Sequence, residues 1–468
     1  MNKLNRNLLP ALLLLMLVPA QAQEQQPLEL ESLKSPPAAL SALQLPIESW
    51  QTPQGSQVLF VRNSQLPMFD LQVVFDASAA RDDGASGLAQ LTLGMLDEGT
   101  TTRNALQIAE GFDDIGAKLR KTLKLGNAVI SLRSLSSEQH RDNTVALLSE
   151  ILGEPSFPDD NLLKTKNQLS SLSTRRQDYA YYKAFDLLFE HTFANHPYAG
   201  NGMGTTQTLG ALTAADLRDF HQRAFNAGNA LITLVGDLTS EQARAIATQL
   251  TAALPAGSAL APFPQPAEFE PEIYHLEHPG TQSLLLFAIP GVTVEHPDAP
   301  ALALANLILG GPGATSRLFE ALRTQRGLTY GADSKLIQRP GSGLWVFKTE
   351  VQAKYRDGAM QLLETLLQDY AETGPTEQQF VDAKEQLRGS YLLDSVSNQQ
   401  ISGILAHIGV NQLPLDSRQV FLEQVQALTL DQLKVALKNH LKLDKLVQIS
   451  VGPSVEQHDL PEIGSASG

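Results

Sequence analysis

The chain of 468 residues contains no cysteine, and behind its N-terminal region it has no apolar run long enough to span a bilayer. The absence of cysteine excludes disulfides, thiolate metal sites, a thiol nucleophile and a lipid-modified cysteine behind a leader. Basic residues are also outnumbered, which gives a formal net charge of −15. Nucleic acids and anionic membranes both require a basic surface, so neither is expected as a partner.

The N-terminus has the pattern of a secretory signal peptide. Lys3 and Arg6 precede an apolar run from Leu8 to Val18, and Ala20-Gln21-Ala22 resembles a cleavage site. About 11 apolar residues fall short of the ~20 that a membrane span needs. We therefore expect cleavage after Ala22, which lowers the formal charge from −15 to −17 by removing Lys3 and Arg6. The expected product is a periplasmic or secreted protein without a stable membrane anchor.

Self-similarity at an interval of 216 residues indicates a duplicated domain. Leu212–Leu217 recurs as Leu428–Leu433, in each case with a threonine that can cap an amphipathic helix. A stretch with the proline-rich composition of a linker separates the copies. The predicted segments are a signal peptide (1–22), an N-terminal domain (23–254), a Pro-rich linker (255–271), a C-terminal domain (272–455) and a flexible tail (456–468).

Strand and helix patterns are segregated within the first copy. The strand patterns cover Gln57–Arg62, Phe69–Phe75 and Lys118–Arg133, and the helical patterns lie near 86–97, 104–116, after Asp159 and near 184–193. Such segregation predicts an α+β domain in which helices cover one face of a sheet. The densest basic patch, Lys118, Arg120, Lys121 and Lys124, alternates with leucine and is interpreted as the solvated face of a strand.

One segment, GLAQLTLGMLDEGT at residues 87–100, resembles the zinc-binding helix of the pitrilysin/insulinase family of inverted zinc peptidases. That family has H-x-x-E-H between Gly-[Leu/Thr]-Ala and Met-Leu-x-x-Gly-Thr. The resemblance puts Gln90 and Gly94 at the two zinc-binding histidines and Leu93 at the glutamate that activates water. The third ligand, a glutamate on a later helix, aligns near Ser171. We therefore expect no catalytic residue and no metal in this chain.

The resemblance extends over nearly the whole mature chain. His196–Thr205 is similar to the family's His-Pro-Tyr-Gly run, and Gly310–Tyr330 resembles a segment with a substrate-binding arginine and tyrosine seven residues apart. Arg323 and Tyr330 match that pair. The resemblance implies two homologous domains with mixed or antiparallel sheets, which form half of a clam-shell. It also implies a zinc-bearing partner chain of the same family, zinc in that partner only, and a peptide substrate.

Each of these candidate binding residues also has a structural interpretation. Arg323 can be a cation at a helix end, and Tyr330 can be a strand aromatic in the core. Gly310, Gly311 and Gly313 can form a flexible turn or contact peptide. They are not a phosphate loop, since neither Lys-Ser nor Lys-Thr follows them.

Histidines that lie close together in the sequence do not indicate another metal site. His275 and His278 are expected on opposite faces of a strand. Glu190, His191 and His196 cluster, but the two histidines are five residues apart and are not stacked on one helical face.

Three functions remain open at this point. The leading interpretation is the noncatalytic, substrate-binding subunit of a periplasmic heterodimeric zinc metallopeptidase. The alternative is a stand-alone peptide-binding or scaffold protein with a degenerate peptidase fold. The third is an active enzyme with relocated metal ligands.

Overall fold

The computed structural model describes residues 44–464, so the predicted signal peptide (1–22) and residues 465–468 lie outside the described part. The strands are β1 (Glu48–Gln51), β2 (Gln57–Arg62), β3 (Met68–Phe75), β4 (Lys118–Leu123), β5 (Ala128–Leu135), β6 (Ala230–Gly236), β7 (Glu272–Glu277), β8 (Gln282–Pro290), β9 (Ala332–Arg339), β10 (Ser342–Gln352) and β11 (Val447–Gly452). They form a first sheet in the order β1-β2-β6-β3-β5-β4 and a second in the order β7-β11-β8-β10-β9.

Helices make up most of the remaining regular structure. They are α1 (Leu88–Met95), α2 (Ala105–Asp114), α3 (Glu138–Gly153), α4 (Asp159–Arg176), α5 (Ala180–Thr192), α6 (Thr206–Ala211), α7 (Ala214–Ala224), α8 (Ser240–Ala253), α9 (Ala299–Gly310), α10 (Arg317–Phe319), α11 (Arg356–Thr373), α12 (Glu377–Leu393), α13 (Asn398–Val410), α14 (Ser417–Ala427) and α15 (Leu430–His440). Within residues 44–464, no helix is both long and apolar enough to cross a membrane.

Both sheets are mixed. Strand β2 pairs with β6 in parallel, as β7 does with β11, and every other strand pair is antiparallel. The predicted α+β class, with a mixed sheet covered by helices in each half, is confirmed.

The repeat seen in the sequence corresponds to repeated structure. Helix α7 and strand β6 recur as α15 and β11 at the interval of 216 residues. Thr213 and Thr429 cap these two helices in the same way, because each hydroxyl accepts a hydrogen bond from the backbone N–H three residues later. The local sequence therefore starts both helices at matching positions.

Each half buries its own core between a sheet and a layer of helices. In the first half, Phe69 and Leu71 of the sheet belong to the same buried cluster as Leu91 of α1 and Leu217 of α7. The corresponding cluster of the second half includes Trp345, Phe347, Leu304 and Leu433. Burial of such side chains is the main favourable term in folding.

The outer face of each sheet is covered by a helix from the other half. Helix α5 packs with Leu188 against β8 and β11 of the second sheet, where Ile449 is buried. Helix α13 packs with Leu405 against β3 and β6 of the first sheet, where Val235 is buried. The two halves therefore exchange one helix each, and the prediction that helices cover one face of a sheet is wrong because the exchanged helix covers the other face.

A buried arginine lies where the two halves meet. The guanidinium of Arg339, at the end of β9, is 4.5 Å from the ring centre of Tyr198 and 5.2 Å from those of Phe189 and Phe193. Its Nε and Nη2 have no hydrogen-bond partner among residues 44–464. Burial lowers the pKa of this guanidinium to about 10.

Residues 255–271, predicted as a linker, contain no helix or strand but pack on the first half. The ring of Phe263 lies 3.8 Å from the guanidinium of Arg81. His196 Nδ1 accepts a hydrogen bond from Tyr198 N–H, so its Nε2 carries the proton and donates to Pro264 O at 3.0 Å.

The predicted tail, up to Gly464, also lies against the protein. His458 N–H donates to Lys354 O, and Gly464 N–H donates to Gln325 O at 2.9 Å. Leu460 packs against the core of the second half. The described end of the chain therefore reaches the turn that follows Arg323.

Candidate functional site

Helix α1 is held at its start by a carboxylate from the preceding turn. Asp82 Oδ2 accepts a hydrogen bond from Gly87 N–H at 2.9 Å, and Oδ1 accepts one from Ala89 N–H at 2.8 Å. Burial raises the pKa of the Asp82 carboxyl to about 6, although the two amides lower it. Gly87 has a φ of 96°, which favours glycine at this position.

The three degenerate positions predicted from the sequence lie on α1. Leu93 is 1% exposed and belongs to the apolar core of the first half. Gln90 and Gly94 are half-buried. A Cβ atom on Gly94 would lie 3.6 Å from Thr165 Cγ2 on α4, which is ordinary van der Waals contact.

A lysine ammonium group contacts the helix at the position of the second histidine. Lys121 Nζ on β4 donates to Gly94 O at 2.6 Å and to the carboxylate of Asp97. The interpretation of Lys121 as part of a solvated face was wrong, because Lys121 shares the inward face with Leu119 and Leu123. The alternation of residues along a strand would have revealed this from the sequence.

Ser171 on α4 does not point toward α1. It is exposed, and its hydroxyl donates to Asn167 O of its own helix at 2.8 Å. Thr165, six residues earlier, is buried and is the α4 residue next to Gly94.

These residues do not fit a zinc ion. Zinc in proteins takes histidine, thiolate or carboxylate ligands, whereas this part of α1 presents an amide, a buried alkyl side chain and a glycine. The cation that contacts Gly94 O is the ammonium of Lys121, which is already neutralised by Asp97. No step of zinc-assisted hydrolysis can be derived from α1.

The structure brings Arg323 and Tyr330 together. The guanidinium of Arg323 lies 5.0 Å from the ring centre of Tyr330, within range of a cation–π interaction, and its Nη1 donates to Thr329 O at 3.3 Å. Tyr330 is 83% exposed. The alternative that Tyr330 is a core aromatic is therefore wrong.

The turn that carries Arg323 has unusual backbone geometry. Residues Glu320–Thr324 continue α10 as a π-helical turn, in which Gln325 N–H donates to Glu320 O at 2.9 Å. π-Helical turns are rare and occur frequently at functional sites.

The predicted glycine loop divides into two parts. A Cβ atom on Gly310 would lie 2.4 Å from Ser334 N, and one on Gly311 would lie 2.4 Å from Leu307 O, so both positions need glycine for close packing. Both are buried. Gly313 is exposed with a φ of 109°, and no described atom lies within 4 Å of a Cβ placed there. Of the three glycines, Gly313 is the exposed one, with open space around a placed Cβ.

The segments discussed above lie beside sheet edges. Within residues 44–464, β4 and β9 each pair with a strand on one side only. Lys121 belongs to β4, and Tyr330 lies two residues before β9. Each unpaired edge presents backbone N–H and C=O groups that can bind an extended peptide as an added strand.

Two family models match the chain. The model described as Insulinase (Peptidase family M16) matches residues 58–206, and the model described as Peptidase M16 inactive domain matches residues 211–387.

Solved structures and a known relative agree with these matches. The peptidase M16 inactive domain from Pseudomonas fluorescens has a TM-score of 0.86 at 39% identity, covering 89% of this chain and 100% of that chain. The Non-peptidase homolog YmxG of Helicobacter pylori is 26% identical over 402 residues, which are 83% of this chain and 90% of that protein. The first half of the periplasmic protease PqqL from Escherichia coli shares the fold, with a TM-score of 0.73 at 16% identity over 88% of this chain and 94% of that chain.

Proposed function

Because the chain belongs to the insulinase family, peptidase family M16, we propose that it is the noncatalytic, substrate-binding subunit of a heterodimeric zinc peptidase. The observation that carries the proposal is the chemistry of α1. Leu93 is buried where a base would have to contact water, and Gly94 offers no ligand. Hydrolysis by the complex therefore requires zinc and its ligands from a partner chain.

Peptide binding is supported by features outside α1. The half-buried Arg323 lies against the exposed Tyr330, which precedes the edge strand β9 by two residues. The guanidinium and the phenol can donate hydrogen bonds to carbonyl groups of an extended peptide. Gly313 leaves the neighbouring turn open for close approach of a backbone.

The proposed partner is a zinc-bearing chain of the same family, and the compartment is the periplasm or the exterior. The pattern of the N-terminal residues supports export. The similarity of fold to the first half of a periplasmic protease supports an assembly in which a second pair of domains completes the clam-shell. Zinc is held by that partner alone in its catalytic site.

Co-expression with a secreted family member that retains H-x-x-E-H tests the assignment. We expect a stable heterodimer by size-exclusion chromatography with light scattering, because a specific interface of at least ~1,200 Å² can form between two such halves. Peptidase activity should require both chains and should disappear when the glutamate of the partner's motif is replaced by glutamine.

A different outcome would favour the stand-alone peptide-binding or scaffold function. In that case the chain elutes separately from every such partner, yet it still binds peptide by isothermal titration calorimetry. Zinc-dependent cleavage by the isolated chain would overturn both functions.

A further inference from the structure

We propose that His296, Asp298 and His440 form a binding site for a zinc ion that is separate from α1. One ligand atom from each residue lies within 4.8 Å of the other two. His296 and Asp298 belong to the turn before α9, and His440 is the last residue of α15, so folding alone brings them together. Two imidazoles and a carboxylate are a ligand set that zinc uses in proteins.

The three side chains already face one another. His440 Nε2 lies 2.8 Å from Asp298 Oδ2, and the rings of His440 and His296 are 5.0 Å apart and nearly perpendicular. Ligand atoms of a tetrahedral zinc ion lie about 3.3 Å apart, given Zn–N distances of about 2.0 Å. Ligand atoms that lie within 4.8 Å of one another can therefore close the site by side-chain rotation.

Asp298 occupies a helix cap but does not use its side chain as a cap. It is the N-cap residue of α9, yet within the described chain its carboxylate accepts no hydrogen bond from an amide of that helix. An N-cap aspartate normally accepts such a bond. Here the carboxylate is turned toward His440 instead.

Comparison of the two copies shows which of these three residues occur only in the second copy. The positions 216 residues earlier hold Ala80, Asp82 and Ala224. Asp82 uses its carboxylate to cap α1 through Gly87 and Ala89. The second copy therefore keeps the aspartate, adds two histidines beside it, and redirects the carboxylate.

Binding requires a change of proton position on both histidines. His440 Nε2–H donates to the carboxylate of Asp298 at 2.8 Å, so this proton must move to Nδ1 before Nε2 can bind the metal. The same shift is needed on His296. Asp298 N–H donates to His296 Nδ1 at 3.1 Å, so neutral His296 carries its proton on Nε2. Rotation of the ring about the Cβ–Cγ bond releases Nδ1 from that amide and lets it hold the proton. The lone pair of Nε2 then becomes available to the metal, at the loss of one neutral hydrogen bond.

The proposed site is accessible to solvent, and a bound ion would connect two helices. The side chains of His440 and Asp298 are 21% and 39% exposed, so water can complete the coordination. A bound zinc ion would connect the start of α9 to the end of α15. The expectation of no metal in this chain rests on the degenerate positions of α1 and on histidines that are close in the sequence, whereas His440 is far in sequence from Asp298.

Titration of the untagged, metal-free chain with zinc tests the proposal. We expect one equivalent of zinc to bind, and cobalt(II) to give the visible absorption of a tetrahedral site with nitrogen and oxygen ligands. His296→Ala, Asp298→Asn and His440→Ala should each weaken zinc binding by at least about tenfold. His458→Ala is the matched control, since His458 is exposed and lies in the tail.

A second measurement separates metal binding from folding, because His440→Ala also removes the ion pair with Asp298. Zinc should raise the Tm of the wild-type chain and of His458→Ala, and it should leave the Tm of His296→Ala and His440→Ala unchanged. The proposal is overturned if zinc binding is substoichiometric. It is equally overturned if the His296 and His440 variants bind zinc as tightly as the control. Peptidase activity is not a readout, so the result is independent of the proposed function.

Discussion

At the residue scale, the chain combines positions that cannot take part in zinc catalysis with an exposed position that can contact a ligand. Leu93 is packed in an apolar core, and Gly94 has no side chain that could bind a metal. Tyr330 lies almost fully in solvent beside Arg323. An aromatic ring of that exposure contributes little to a core, whereas it can contact a ligand.

Replacement of Arg323 by alanine, or of Tyr330 by phenylalanine, should lower kcat/KM of the assembled complex. A hydrogen bond to a charged donor contributes about 1.5 to 3 kcal/mol, which corresponds to a loss of roughly 10- to 150-fold for the arginine. The phenol is neutral, so its loss should be nearer the lower end. Steady-state kinetics with purified heterodimer is the measurement.

The neighbouring Arg326 provides the control for that experiment. It lies on the same turn, and its Nη1 donates to Ala321 O. Arg326→Ala should leave kcat/KM unchanged. If all three variants have wild-type kinetics, Arg323 and Tyr330 serve only the local structure. Loss of the heterodimer would instead assign them to the interface.

Restoring the motif on α1 should not create a peptidase. In Gln90→His/Leu93→Glu/Gly94→His, the new carboxylate would be placed where Leu93 is 1% exposed. An uncompensated buried charge costs about 3 to 5 kcal/mol, so the variant should unfold at a much lower urea concentration.

Two single substitutions separate the causes of the lower stability of the triple variant. Leu93→Glu should account for most of the decrease in the free energy of unfolding. Gly94→Ala should stabilise the chain by about 0.5 to 1 kcal/mol, because alanine is a better helix former and a Cβ fits beside Thr165. A folded triple variant with zinc-dependent activity would contradict this account.

At the scale of the element, helix α1 is capped by the carboxylate of Asp82, whose charge is disfavoured because the group is buried. The folded-state pKa of Asp82, about 6, lies above its ordinary value of 3.8. The contribution of this group to stability is therefore complete below about pH 4 and is lost as the pH rises through 6. The hydrogen bonds from Gly87 and Ala89 remain above that pH, but the cost of burying the charge offsets their contribution to stability.

Asp82→Asn should remove this pH dependence. We expect the free energy of unfolding of the wild type, minus that of Asp82→Asn, to fall by about 2.4 kcal/mol between pH 4 and pH 7. Asparagine keeps one acceptor oxygen for the two amides, so at low pH the variant should have a lower free energy of unfolding than the wild type. Urea unfolding at four pH values measures both curves, and parallel curves would contradict the assignment.

Most elements could be predicted from local sequence, and their contacts could not. The strands at Gln57 and Phe69 and helices α7 and α15 follow from alternation and from threonine caps, which act within a few residues. The place of Lys121 on β4 also follows from alternation, but its contact with Gly94 depends on how β4 lies beside α1. Asp82 reaches α1 only because the intervening turn folds back.

At the scale of the whole molecule, the exchanged helices α5 and α13 pack each half against the other, so we expect the halves to unfold as one cooperative unit. The chain has two tryptophans, Trp50 in the first sheet and Trp345 in the second. In Trp50→Phe and in Trp345→Phe, the remaining tryptophan should lose its folded fluorescence at the same urea concentration at which far-UV circular dichroism is lost.

Leu405→Ala in α13 extends that test across the halves. Leu405 is fully buried against the first sheet, so its truncation should lower the free energy of unfolding by about 2 to 5 kcal/mol. Both tryptophans should report the lower midpoint, although Trp345 lies in the other sheet. The exposed Gln399→Ala is the control. Separate midpoints for the two tryptophans would show that the halves unfold independently.

The sequence did not predict that the two halves exchange a helix. The apolar faces of α5 and α13 could be recognised from their periodicity, but periodicity does not say which sheet they cover. The same limit applies to His440, because the 142 residues that separate it from Asp298 carry no local signal of their contact. Duplication predicted two equal halves, and the structure adds that each half is incomplete without the other.

The exchange also sets the order in which the chain can fold as it is synthesised. When the ribosome has made all of the first sheet, α13 does not yet exist, and the apolar row that includes Leu59, Val74 and Leu231 has no cover. Such a surface is prone to aggregation until residues 398–410 arrive. A chain that emerges N-terminus first, from the ribosome or across a membrane, therefore leaves this apolar face uncovered until most of its length has appeared.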